Sequence, residues 1–283
     1  MLADLVAVGD VMLDLEIERL VPGQRVHAPI RMRPGGSATN AALWARSQGA
    51  SAAVVGRIGN DPQGSLIQGA LAEGGVIARL AIDPEAPTGT VTIVDLGGSP
   101  TVVADRGANA NFAAADVPDP LLGGAVLVSG YVLLHGDSED AARAALSRAQ
   151  ASWLAVDAAS AALLARYGDQ AFLTAAEPAT VLLANEEEAR VLTARDGRNA
   201  VEALAERFRL VCVKLGPRGA VASLDGEICE AEPAKVEPGD RLGAGDAFAA
   251  GLLVSLVRGA SLAEALAAGC ELGARSIHRE PAP

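Results

Sequence analysis

The sequence predicts an α/β fold, with a mainly parallel central sheet covered by helices and a small antiparallel β lid beside it. Three observations predict it. Short runs that are apolar on both faces recur along the chain, as in strands buried between helical layers. Helical stretches alternate with those runs, which is the order of βαβ units. Two further stretches alternate apolar and polar residues between Pro and Gly turns with no helix between them, as half-exposed antiparallel strands do.

The first buried strand is 5–9 (LVAVG), closed by glycine. Runs of the same character occupy 52–56, 125–129, 153–157, 180–184 and 210–215. Helical stretches fall at 38–48, 65–73, 138–150 and 199–208. The alternating stretches are 16–32 and 79–104. On this reading residues 1–14, 35–75 and 97–283 form the α/β domain, and 15–34 and 76–96 form the lid. Toward the C-terminus Phe248, Leu252 and Leu256 recur at helical spacing up to Gly259. Ser261 and Glu264 then form a capping box for a helix through about residue 276.

Composition narrows the function. A chain of 283 residues buries most of its apolar surface without a metal or disulfide staple. It is 50% hydrophobic but only 3% aromatic, so the core is built of Ala, Val and Leu. A formal net charge of −12 repels polyanions and anionic bilayers, which argues against nucleic acid or membrane partners. Cys212, Cys229 and Cys270 are far apart and show no metal-ligand spacing, which suits idle thiols in a reducing compartment. No signal-peptide pattern opens the chain and no apolar run reaches membrane-spanning length, so a soluble, cytoplasmic protein is expected.

The segment that carries chemistry is 240–248, DRLGAGDAF. Gly243, Ala244 and Gly245 stand where the helix of Phe248 begins. A helix start exposes unpaired N–H groups and a partial positive charge, and glycine lets a phosphate approach them closely. Asp246 falls in that first turn, where a carboxylate can take the proton of an attacking hydroxyl. Asn185 and Glu188 have the spacing of a second capping box.

Segment 240–248 resembles the C-terminal signature of the ribokinase-like (PfkB) carbohydrate kinases, D-T-T-G-A-G-D-x-F, with Arg241 and Leu242 in place of the two threonines. The resemblance extends over nearly the whole chain. It implies a three-layer α/β/α kinase that uses ATP and Mg²⁺ to phosphorylate a small sugar. Gly243, Ala244 and Gly245 would be its anion hole, Asp246 its base and Asp240 a neighbour of a monovalent cation such as K⁺. Gly9 and Asp14 match the family's glycine and sugar-binding aspartate, and GGSATNAA from Gly35 matches its diglycine segment, giving Gly35, Gly36 and Asn40 as sugar contacts. The loop from Asp105 adds Arg106 and Asn109 on the substrate side. Asn185-Glu-Glu-Glu188 is similar to the family's N-x-x-E, implying phosphate positioning by Asn185 and Mg²⁺, held in part through water, by Glu188. Lys214, Gly216 and Gly219 correspond to the loop that passes under the nucleotide. Flaps of some such kinases pair across a dimer, so the resemblance allows a homodimer through the lid.

Other substrates fit the same family. A nucleoside kinase needs rings to stack a base, for which Trp44 and Phe112 are the candidates. An acidic-sugar kinase of the 2-keto-3-deoxygluconate type needs a carboxylate partner, for which Arg106 or Arg33 would serve. A non-catalytic sugar sensor with the same fold is the reading outside enzymes, and an intact GAGD argues against it.

Overall fold

The computed structural model describes residues 3–17, 20–21, 23–94, 101–234 and 242–277. Its strands are β1 (Ala3–Val8), β2 (Met12–Ile17), β3 (Ile30–Gly35), β4 (Ala52–Gly59), β5 (Ile77–Asp83), β6 (Gly89–Val94), β7 (Thr101–Asp105), β8 (Leu121–Ser129), β9 (Ala149–Gln150), β10 (Trp153–Asp157), β11 (Val181–Asn185), β12 (Leu210–Lys214), β13 (Ala220–Leu224) and β14 (Glu227–Ala231). The helices are α1 (Ser37–Ser47), α2 (Pro62–Glu73), α3 (Gly130–Leu134), α4 (Glu139–Arg148), α5 (Ala161–Tyr167), α6 (Asp169–Ala175), α7 (Glu186–Thr193), α8 (Gly197–Leu204), α9 (Ala244–Val257) and α10 (Leu262–Ile277).

The main sheet runs β14-β13-β12-β11-β10-β8-β1-β4-β5, with β9 beside β8. From β12 to β5 every pair is parallel, while β13 and β14 fold back antiparallel. Side chains of each central strand divide between two cores, as a period of two requires. Val6 and Val8 join one cluster, and Leu5 and Ala7 join the other. Val211 and Val213 part from Leu210 and Cys212 in the same way. Helices α3 to α8 cover the first face, and α1, α2, α9 and α10 cover the second. Each Leu or Val sealed there contributes about 1.5–3 kcal/mol, so the layers hold without a cross-link.

A second sheet, β3-β2-β6-β7, stands apart. Its two outer pairs are antiparallel, but β2 and β6 run parallel, so the lid is mixed where a wholly antiparallel one was expected. Its strands also begin and end elsewhere than expected. β2 starts at Met12, and β7 lies at Thr101–Asp105, which the sequence reading gave to the α/β domain. Segment Ile77–Asp83, expected in the lid, instead pairs parallel with β4 as the edge of the main sheet. An edge strand is covered on one side only, so it shows the same apolar–polar alternation as a flap. Among the described residues, no helix is long and apolar enough to cross a membrane.

Candidate active site

Parallel strands all present their C-terminal ends at one edge, where open α/β sheets hold ligands. Here β8, β10, β11 and β12 end on Ser129, Asp157, Asn185 and Lys214. A cavity of about 1050 Å³ runs along that edge. The small sheet walls it with Met12, Asp14, Val91 and Ala104, and the turn after β12 and helix α10 wall it with Gly216, Gly219, Cys270 and Gly273.

Helix α9 opens into this cavity. Gly243 is its N-cap, at φ 82°, a left-handed conformation that disfavours any side chain. Ala244 and Gly245 follow, and their amides precede the first intrahelical donor, Ala247 N, which bonds to Gly243 O at 3.1 Å. Asp246 lies in the first turn, surrounded by protein yet reachable from the cavity. Burial pushes its carboxyl up to about 7, with Asp157 and Asp14 adding to the shift and Asn40 and Lys214 opposing it. A carboxyl raised toward neutrality suits a base that must take a proton and release it. Asn40, in the first turns of α1, donates from Nδ2 to Asp246 Oδ2 at 2.9 Å.

Asp14 points into the cavity from β2, 4% exposed. Gly35 pairs with Met12 on the neighbouring strand, and a Cβ there would lie 2.0 Å from Asp14 Oδ1. The first glycine of the diglycine thus makes room for the aspartate instead of lining the cavity. Gly36 caps α1 at φ 86° and does line it.

Lys214 reaches Asp157 with Nζ at 2.7 Å from Oδ2. Burial pulls the ammonium down, but Asp157 and Glu188 outweigh it and hold Lys214 charged. A Cβ on Gly245 would stand 3.4 Å from that Nζ, so the cation sits beside the opening turn of α9. Asn185 and Glu188 form the reciprocal cap expected from their spacing. Asn185 N and Nδ2 donate to Glu188 at 2.7 Å each, and Glu188 N donates to Asn185 Oδ1 at 2.9 Å. Both carboxylate oxygens of Glu188 are therefore engaged, and burial pushes the group up to about 7. Among the described residues, no three His, Cys, Asp or Glu side chains gather as a metal cage. Asp240, the expected neighbour of a monovalent cation, lies outside the described residues, as does Arg241.

One substrate-side expectation needs correction. Asn109 is 1% exposed and does not face the cavity. Its amide instead braces the chain, accepting from Val11 N at 2.9 Å and donating to Val11 O and Arg106 O at 3.0 Å each. Arg106 lines the cavity, but its two terminal nitrogens are already committed to Asp10, Asp137, Ser138 and the Asn109 carbonyl. Gly216 and Gly219, expected on the nucleotide side, line the cavity. At φ 83° Gly219 packs so tightly that a Cβ would sit 1.9 Å from Ala231 O. Asp10, Asp157 and Tyr131 also line the cavity, and sequence reasoning gave them no role. Asp10 and Asp157 stand at or just after strand ends, a position that marks the ligand edge of such sheets. Tyr131 carries no comparable signal.

The model of the pfkB family carbohydrate kinases matches residues 2–282. A fructokinase of Vibrio alginolyticus is 30% identical over 239 residues, covering 80% of this chain and 77% of that protein. The fructokinase of Vibrio cholerae O395, solved with fructose, ADP and calcium ion bound, is similar at TM-score 0.82 and 26% identity, covering 99% of this chain and 94% of the other. An adenosine kinase of Sinorhizobium meliloti has the same fold at TM-score 0.87 and 24% identity, covering 99% and 95% of the two chains.

Proposed function

Because this chain belongs to the pfkB family of carbohydrate kinases, we propose that it transfers the γ-phosphoryl group of ATP to a hydroxyl of a small, uncharged sugar. One observation carries this reading. A carboxyl group raised to about 7 sits in the first turn of a helix whose amides open on the ligand cavity. The sugar's O–H gives its proton to Asp246, its oxygen bonds to the γ-phosphorus, and the bond to ADP breaks. The amides of residues 243–245 and the Lys214 ammonium offset the charge that builds on the phosphoryl oxygens. Asp14, Gly36 and Asn40 orient the sugar so that the reaction becomes effectively unimolecular. The small sheet forms the roof that limits water, and with it wasteful hydrolysis of ATP.

Mg²⁺ entering with the nucleotide would supply positive charge to offset that of the phosphates. The residues fit a sparsely held ion. Glu188 has both oxygens engaged by Asn185, and Glu187 stands exposed at the cavity rim, so these two carboxylates would hold the ion through water and not as direct ligands.

The acidic-sugar reading is disfavoured because Arg106 is committed as described and Arg33 lies 2.6 Å from Glu16, with Asp14 nearby at 3.7 Å. The nucleoside reading loses its two stacking candidates, since Phe112 is a core residue and Trp44 does not line the cavity. A homodimer through the small sheet is a separate proposal, supported by exposed Ile30, Met32 and Val103 on its strands. Turnover is tested by an ADP-release screen over ribose, fructose, ketodeoxygluconate, adenosine and inositol. Release with ribose or fructose supports the assignment. Release with none of the five, above the rate with water alone, contradicts it.

A further inference from the structure

Resting on the kinase reading above, we propose that Asp10 is a specificity-determining residue that accepts a hydrogen bond from a sugar hydroxyl other than the one phosphorylated. Asp10 follows β1 and Gly9 and lines the cavity, yet it is only 6% exposed. Its Oδ1 faces Arg106 Nη2 at 3.3 Å. Among the described residues its Oδ2 takes no hydrogen bond, and that atom is open to the cavity.

A carboxylate so far removed from water is costly unless donors surround it. The groups facing Asp10 cannot make up the deficit. Arg106 spends its other hydrogen bonds on Asp137, Ser138 and the Asn109 carbonyl. His135 has Nδ1 3.1 Å from the Tyr131 carbonyl, and Asp137 is a like charge. Burial therefore pushes the Asp10 carboxyl up despite Arg106. A ligand hydroxyl is the donor that completes the set.

The hydroxyl that Asp10 reads differs from the reacting one, because the two carboxylates have different surroundings. Asp246 is held by Asn40, with Asp157, Lys214 and Asp14 about it, whereas Asp10 stands among Arg106, His135 and Asp137. The same arrangement selects the ligand class. A hydroxyl donates to Oδ2, and a substrate carboxylate at that place meets a like charge.

The experiment compares kcat/KM for fructose or ribose, whichever the protein turns over faster, with each of its monodeoxy analogues, in wild type and in Asp10→Asn and Asp10→Ser. A hydrogen bond to a charged group is worth about 10–100-fold in such a ratio. Wild type should discriminate by that factor against one analogue lacking a non-reacting hydroxyl. Both variants should lose that discrimination and keep the other ratios. A merely structural role lowers all analogues together, so a uniform loss, or ratios unchanged from wild type, overturns the proposal. So does a wild type that tolerates removal of every non-reacting hydroxyl, a result that needs no variant to fold. If wild type phosphorylates neither sugar, this inference is overturned, and the kinase reading falls with it only if none of the five screened compounds is phosphorylated.

Discussion

Asn40 and Asp246 lie 206 positions apart in the chain, yet Asn40 Nδ2 donates to Asp246 Oδ2 at 2.9 Å. The bond ties helix α1 to the first turn of α9. It favours the ionised carboxylate and so works against the burial that raises Asp246. Asn40→Ala should move the acid limb of kcat/KM to higher pH. Activity lost near pH 7 should return in part above about pH 8, as read from a pH–rate profile. An unmoved limb would separate the two residues functionally.

The same burial makes stability depend on pH. Asp246 and Glu188 are raised to about 7 from ordinary values of 3.8 and 4.5. The unfolded chain releases these protons first, so the fold is favoured while both groups stay protonated. It loses that advantage as pH climbs from about 4 to about 7. Asp246→Asn should therefore raise Tm at about pH 8, with the gain shrinking toward pH 4 in thermal unfolding runs.

Gly35→Ala places a methyl where Asp14 holds its carboxylate, 2.0 Å from Oδ1. Overpacking of this kind costs about 1–3 kcal/mol, equivalent to about 5–150-fold in affinity. The KM for sugar should rise by such a factor while the KM for ATP stays near wild type, a split that steady-state kinetics reads directly.

Lys214→Met strands the partly buried Asp157 carboxylate that now lies 2.7 Å from the ammonium. The loss should reach about 3 kcal/mol in urea unfolding, and Asp157→Asn added to it should recover most of that loss. On the proposed role of Lys214 the single variant should also raise the KM for ATP, and the double should not rescue it, because both lack the ammonium beside α9.

What could be read in advance follows from which forces act locally. The opening of α9 and the Asn185–Glu188 cap were legible because caps and glycine turns are set by neighbours in sequence. The buried parallel strands were legible because burial on both faces leaves continuous apolar runs. The hairpin of β13 and β14 escaped notice although Asp225-Gly226, both at positive φ (51° and 89°), is a strong two-residue turn signal. Asn109 was misread because sequence does not say whether an asparagine faces a ligand or the backbone at residue 11. Asp10 and Asp157 could not be weighed, since their partners Arg106 and Lys214 are 96 and 57 positions away.

The central claim is that Asp246 takes the proton of the attacking hydroxyl, and kcat of Asp246→Asn, followed by ADP release with the preferred sugar, tests it most directly. The replacement keeps the shape and the cavity but cannot accept a proton at neutral pH. A fall in kcat of about 10²–10⁴-fold, with sugar affinity near wild type by calorimetry, is the predicted result. Turnover within a few-fold of wild type would contradict the account and send the search for the base elsewhere in the cavity.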